Sequence, residues 1–181
     1  NGPKTPKYIS LVEELRAKGL SVIPIIEDYT ELELMKKFSG PVGIRVNLSI
    51  KVKSHWDKKF NRFGFTEDEL LKLGKVPNLT ILHYHISSQV ESIDGFVKPF
   101  KRALEVYQKL KEKNPGLDTI DIGGGAGVPY IKKHFYTGKS LIQRIVKTAK
   151  THCDKLGLKH PNLITEWGRY VAAPAQITIY K

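Results

Sequence analysis

Asp118-Thr119-Ile120-Asp121-Ile122-Gly123-Gly124-Gly125-Ala126-Gly127 is a short apolar strand that runs straight into a turn made almost wholly of glycine. Further along the chain the arrangement recurs, with a strand-like run at 162–165 leading into Thr165-Glu166-Trp167-Gly168-Arg169. A plain strand-to-helix turn needs one or two glycines. Backbone without side chains lets several N–H groups approach an anion closely, and the second turn adds a glycine amide, a permanent cation at Arg169 and a carboxylate at Glu166. Both turns sit at the carboxyl ends of strands, which bears directly on the fold.

Working outward, the apolar spacing of Tyr8, Leu11, Val12 and Leu15 predicts an amphipathic helix closed by Lys18-Gly19, followed by a strand over 21–26. A helix over 30–38, with Thr30 and Glu33 in capping-box spacing, leads to a strand over 42–47. Residues 48–65 read as a polar loop holding His55 and Trp56, and Thr66 caps a helix to about Gly74 before a strand at 79–84. A long helix from Asp94 to about Lys113 precedes the strand at 118–122, and a helix at 140–156 precedes the strand at 162–165. Residues 176–180 read as one more strand. Helix-then-strand units with apolar strands give an α/β chain with a parallel sheet, either doubly wound or a slice of a (β/α)8 barrel. Arg45, His85, Gly123 to Gly125 and Glu166 to Arg169 each stand at the carboxyl end of a different strand. Barrels collect their chemistry there, whereas an open sheet gathers its ligand at one crevice. The expected fold is therefore a partial TIM barrel of about five strands over residues 1–174.

The 181 residues are 40% hydrophobic and contain no apolar run near the ~20 residues of a membrane span, so a globular chain without a membrane partner is expected. The net charge of +12 is spread along helices and accompanied by no stacking-aromatic motif, which argues against nucleic acid as a partner. One cysteine, Cys153, rules out an internal disulfide framework, and the opening residues carry no signal-peptide pattern, so the cytoplasm is the expected compartment.

In Leu82-His83-Tyr84-His85-Ile86-Ser87-Ser88-Gln89 the two histidines share a strand face and His85 lies nearer its end. A His-x-His pair can ligate metal, but no further ligands stand at suitable spacing. A flat imidazole packed on an aromatic ring, with the Ser88 hydroxyl on a phosphate, accounts for both residues; His83 reads as a core histidine. The glycine turn departs from the dinucleotide fingerprint because Val128 occupies the place of its third glycine, and Thr137-Gly138-Lys139-Ser140 lacks the upstream glycine of a P-loop, with Lys133 in its place. A carboxylate beside an anion site needs its own reason. A cofactor with both a phosphate and a basic ring nitrogen, such as pyridoxal 5'-phosphate, supplies one, because Glu166 facing that nitrogen would keep it protonated. Arg45 reads equally as a site residue or an outer-face cation.

As an ordered set, these motifs resemble the fold-type III pyridoxal-phosphate decarboxylases, and among them the biosynthetic arginine decarboxylases. The resemblance runs from Asn1-Gly2-Pro3-Lys4 through Asn61-Arg62-Phe63-Gly64, the histidine segment and the glycine turn to His160-Pro161-Asn162-Leu163-Ile164-Thr165-Glu166-Trp167-Gly168-Arg169. It implies that His85 stacks on the cofactor ring, that Ser88, Gly124, Gly125, Gly168 and Arg169 hold its phosphate, and that Glu166 pairs with its ring nitrogen. It further implies release of carbon dioxide from L-arginine to give agmatine for polyamine synthesis, in a homo-oligomer, with residues 175–181 beginning a further β domain. Other implied activities are decarboxylation of ornithine, lysine or diaminopimelate, or binding of the cofactor without catalysis. The family pattern has Gly at Ser87, Asp at Pro129, Lys at Arg62, and Ser or Pro at Trp167. Its cofactor-bonding lysine lies on an earlier strand, so this chain alone is expected to be inactive.

Overall fold

The computed structural model describes residues 1–50, 62–130, 136–175 and 179. Six strands pair in parallel in one sheet: β1 (Ile25–Ile26), β2 (Val42–Asn47), β3 (Phe65–Thr66), β4 (Leu79–His83), β5 (Thr119–Asp121) and β6 (Asn162–Ile164). The order is β1-β2-β4-β5-β6, with β3 attached to β2. Each main strand is laid beside its predecessor and the order never reverses. A doubly wound sheet would reverse once at its switch point, so this is the stave order of a barrel. The sixth strand arises where the expected loop over 48–65 meets the helix cap at Thr66: β2 exchanges partners near its end, pairing Val46 with Phe65 and Asn47 with Thr66.

The helices are α1 (Pro6–Ala17), α2 (Tyr29–Leu34), α3 (Glu67–Lys72), α4 (Ile93–Lys113), α5 (Gly138–Leu156) and α6 (Gly168–Ala172). In α1 the buried stripe is Ile9 and Val12, while Tyr8 and Leu11 of the predicted stripe are exposed. The predicted strand over 21–26 contracts to the two residues that find partners on β2, Ile25 opposite Gly43 and Ile26 opposite Ile44. The next helix is capped by Asp28 and not Thr30: the Asp28 carboxylate accepts from the Glu31 amide at 2.9 Å, and a 3-10 turn over Met35–Lys37 ends the segment. Thr66 and Glu69 form the expected capping box. Ser92 caps α4, and the Thr137 to Ser140 stretch is the capping box of α5. His55, Trp56, Asn61 and most of the predicted strand over 176–180 lie outside the described residues.

The core forms where α4 and α5 cover the sheet. Phe96, Phe100, Leu104 and Tyr107 of α4 and Leu141, Ile145 and Cys153 of α5 join Leu82, Ile120 and Ile122 in one buried cluster. Each large side chain removed from water in this way contributes about 1.5–3 kcal/mol, and together they fix the carboxyl rim of β4 and β5.

Candidate active site

The parallel register fixes what meets at the rim. His83 and Asp121 are direct partners across β4 and β5, and Asp121 pairs with Ile164 across β5 and β6. Backbone bonding continues beyond the strands: Ile122 donates to the Ile164 carbonyl and Glu166 donates to the Gly123 carbonyl, both at 3.0 Å. The two glycine-bearing turns are thereby one continuous rim.

Most of the glycines are demanded by chain packing. Gly123 and Gly125 have φ of +65° and +101°, and a Cβ would stand 2.5 Å from the Tyr84 carbonyl oxygen or 2.2 Å from that of Ser87. A Cβ at Gly124 would lie 3.0 Å from the Glu166 carbonyl oxygen and 3.4 Å from the His85 ring. The turn therefore rests directly on the 84–87 backbone, a role that the sequence reading, which gave Gly124 and Gly125 to the phosphate, did not anticipate. Gly168 differs, since a Cβ there meets nothing within 4 Å.

Two further side chains hold the turn in place. Gln89 accepts from the Val128 amide at 2.8 Å and donates to its carbonyl at 3.1 Å. The buried Tyr136 hydroxyl accepts from the Gly127 amide at 2.9 Å and donates to the Val90 carbonyl at 2.6 Å. Sequence reasoning quoted Gln89 only as a motif residue and passed over Tyr136, whose partners are remote in sequence.

His85 is half-buried, and its Nδ1 accepts from the Gly124 amide at 3.2 Å, which fixes the ring and its tautomer. The Gly124 N–H is committed to that bond. Ser88 lies half-exposed just beyond. Arg169 is exposed on α6, and its guanidinium makes no ion pair or hydrogen bond among the described residues. The Trp167 indole turns into the helix layer, edge-on to Phe96 and Tyr170 with ring centres 6.4 and 6.3 Å away. Arg45 pairs with Glu27 at 3.1 Å and lies over the Phe63 ring at 5.1 Å, on the β1–β2 side of the rim.

Under Glu166 lies a cluster that spacing alone did not suggest. His83 is fully buried, and its Nδ1 stands 3.0 Å from Asp121 Oδ2, while neither ring nitrogen meets a hydrogen-bond partner of good geometry among the described residues. Asp121 Oδ1 accepts from the Gly123 amide at 2.9 Å. Burial opposes the Asp121 charge, but the His83 contact and the Gly123 amide together hold its carboxyl below the usual range. Glu166 is exposed as a residue, yet its crowded carboxyl is pushed up, first by loss of water and then by the neighbouring Asp121 charge. From the solvent side the Asn1 amide donates to Glu166 Oε1 at 2.8 Å. One ligand atom from each of His83, Asp121 and Glu166 lies within 4.8 Å of the others, a spread that a divalent cation could bridge. Contacts within the protein already account for the Asp121 oxygens. An open groove lined by Ser92, Asp94, Ser140, Gln143, Arg144 and Lys147 contains none of these groups.

Comparison with known proteins gives a consistent match. Residues 2–173 match the family model for the pyridoxal-binding domain of pyridoxal-dependent decarboxylases. The chain is 28% identical over 202 residues to a biosynthetic arginine decarboxylase of Rhodopirellula baltica, covering 99% of this chain and 30% of that protein. It is 30% identical to arginine decarboxylase 2 of Oryza sativa subsp. japonica, covering 96% and 32%. The crystal structure of the biosynthetic arginine decarboxylase from Campylobacter jejuni superposes with a TM-score of 0.77 at 25% identity, over 96% of this chain and 31% of that one. Diaminopimelate decarboxylase from M. jannaschii in complex with L-lysine gives 0.74 at 28%, over 93% and 42%. The chain thus spans about a third of the length of the curated relatives it matches.

Proposed function

The chain belongs to the pyridoxal-dependent decarboxylases, by their pyridoxal-binding domain, and from that membership we propose that it forms part of an enzyme releasing carbon dioxide from L-arginine to yield agmatine, the entry to polyamine synthesis. Residues 1–174 would be the cofactor-binding part of a barrel, with 175–181 leading into a β domain. The whole enzyme is read as a cytoplasmic homo-oligomer, on the family resemblance and the lone buried Cys153.

The rim fits the family's cofactor on its own chemistry. Arg169 has an uncommitted guanidinium, Gly168 faces open space, His85 is a flat imidazole held in one orientation, and Glu166 is a crowded acid at the same rim. In this reading Arg169, Gly168, Gly125 and Ser88 hold the phosphate. Gly124 would act by orienting His85, which would pack on the ring, and Glu166 would pair with the ring nitrogen. When bound, pyridoxal phosphate supplies the electron sink that makes loss of the α-carboxylate feasible. The side chains orient that ring and hold a proton at Glu166. The observation that carries the reading is the Glu166 amide donating to the Gly123 carbonyl, which puts acid and glycine turn on one rim.

Decarboxylation of a different basic amino acid is the second reading, favoured by the 0.74 superposition on a diaminopimelate decarboxylase. Assay of the full-length protein with arginine, ornithine, lysine and diaminopimelate distinguishes them: agmatine as the dominant product supports the first, and a diamine or lysine product replaces it with the second. Borohydride trapping that yields no lysine adduct would favour a non-catalytic binder.

A further inference from the structure

We propose that Asp121, with His83 buried behind it, is a positioning residue for Glu166: it keeps the proton on the Glu166 carboxyl and so presents a proton to the cofactor's ring nitrogen. The inference rests on the reading of Glu166 given above and extends it to two residues that touch neither cofactor nor substrate.

Three contacts carry it. Asp121 is anchored from both sides, by the Gly123 amide on Oδ1 at 2.9 Å and by His83 on Oδ2 at 3.0 Å, so its position is set by β4 and β5 together. His83 has no exposed surface and Asp121 has 5%, so water screens this pair weakly. A carboxylate oxygen of Asp121 and one of Glu166 lie within 4.8 Å of each other, and a pair of carboxylates in one site cannot both ionise freely. Because His83 and Gly123 both favour the charged form of Asp121, the negative charge settles there and the proton stays on Glu166.

Each element around Glu166 contributes a named group. β5 supplies Asp121, which raises the Glu166 pKa, and β4 supplies His83, whose charge lowers it without cancelling the rise, while the opening segment supplies the Asn1 side-chain amide, a donor to Glu166 Oε1. The guanidinium of Arg169, on α6, makes no ion pair with it, and Nδ1 of His85 is taken by Gly124. Glu166 would hand its proton to a basic ring nitrogen and remain as a carboxylate, while Asp121 would stay ionised. The Asp121 charge behind Glu166 would favour a protonated ring more strongly than Glu166 alone.

The test is a pH titration of carboxyl 13C signals in the cofactor-free full-length protein, with Glu166 assigned by its loss in E166Q and Asp121 by its loss in D121N. The wild-type protein should show Glu166 titrating above the ordinary glutamate range and Asp121 below the ordinary aspartate range. In D121N, which retains an oxygen for the Gly123 amide, the Glu166 midpoint should shift down. The pH midpoint of bound-cofactor absorbance should shift down in the same variant. An ordinary Glu166 midpoint in wild type overturns the proposal even if D121N does not fold, and so does an unmoved midpoint in folded D121N. Failure of the reading of Glu166 looks different: the carboxyl shifts would stand, while E166Q would leave the absorbance titration of the bound cofactor unchanged.

Discussion

Glu166 and Arg169 lie three residues apart and are expected to fail differently. E166Q should retain the cofactor and lose turnover by about a hundredfold to a thousandfold, the scale on which one electrostatic stabiliser acts; undiminished activity in the complete enzyme would contradict its role. R169A should instead weaken cofactor binding by about tenfold to a hundredfold, as expected for one charge-assisted contact to phosphate, measurable by fluorescence titration. Glu166 also leaves a signature in stability. Its carboxyl is raised in the folded chain, so its contribution is full below the unfolded pKa and is lost as pH rises through the folded one. E166Q should therefore gain in melting temperature relative to wild type between acid and neutral pH. At this scale the sequence singled out the acid, the arginine and His85, because each is a functional type at a strand end. It did not show Asp121 as the partner of His83, since that pairing depends on the register between β4 and β5, which no local pattern encodes.

For strands and turns, legibility followed partner availability. The strand over 42–47 was read to the residue because it pairs on both sides, with β1, β3 and β4. The run over 21–26 shrank to two residues because only Ile25 and Ile26 meet a neighbour. Capping followed the same logic: Thr66 has its glutamate at the right spacing, whereas at α2 the preceding Asp28 captures the amide first. The glycine turn offers a test that separates packing from ligand contact. Gly125→Ala places a Cβ against the Ser87 carbonyl at positive φ and should cost about 1–3 kcal/mol in chemical denaturation. Gly168→Ala meets open space and should leave folding intact while lowering cofactor affinity. Equal loss of stability in both variants would contradict the assignment.

Across the whole molecule, a buried ionic network ties the opening segment to the first two main strands. Lys4 and Glu31 pair at 2.9 Å with side chains 1% and 3% exposed, Glu31 also accepts the Lys4 and Glu27 amides, and Glu27 accepts from Gly2 and Arg45. Removing one member of such a pair strands the other, so K4M should destabilise the protein by about 3–5 kcal/mol, read from its denaturation midpoint. None of this was visible in the sequence, where Lys4 was one cation among 30. Asn1 binds Glu166 on the far flank of the sheet while Gly2 and Lys4 are knotted to Glu27 and Glu31 on the near one. The first four residues thus act as a drawstring across the rim, and slack at the near knot would release the acid at the other end.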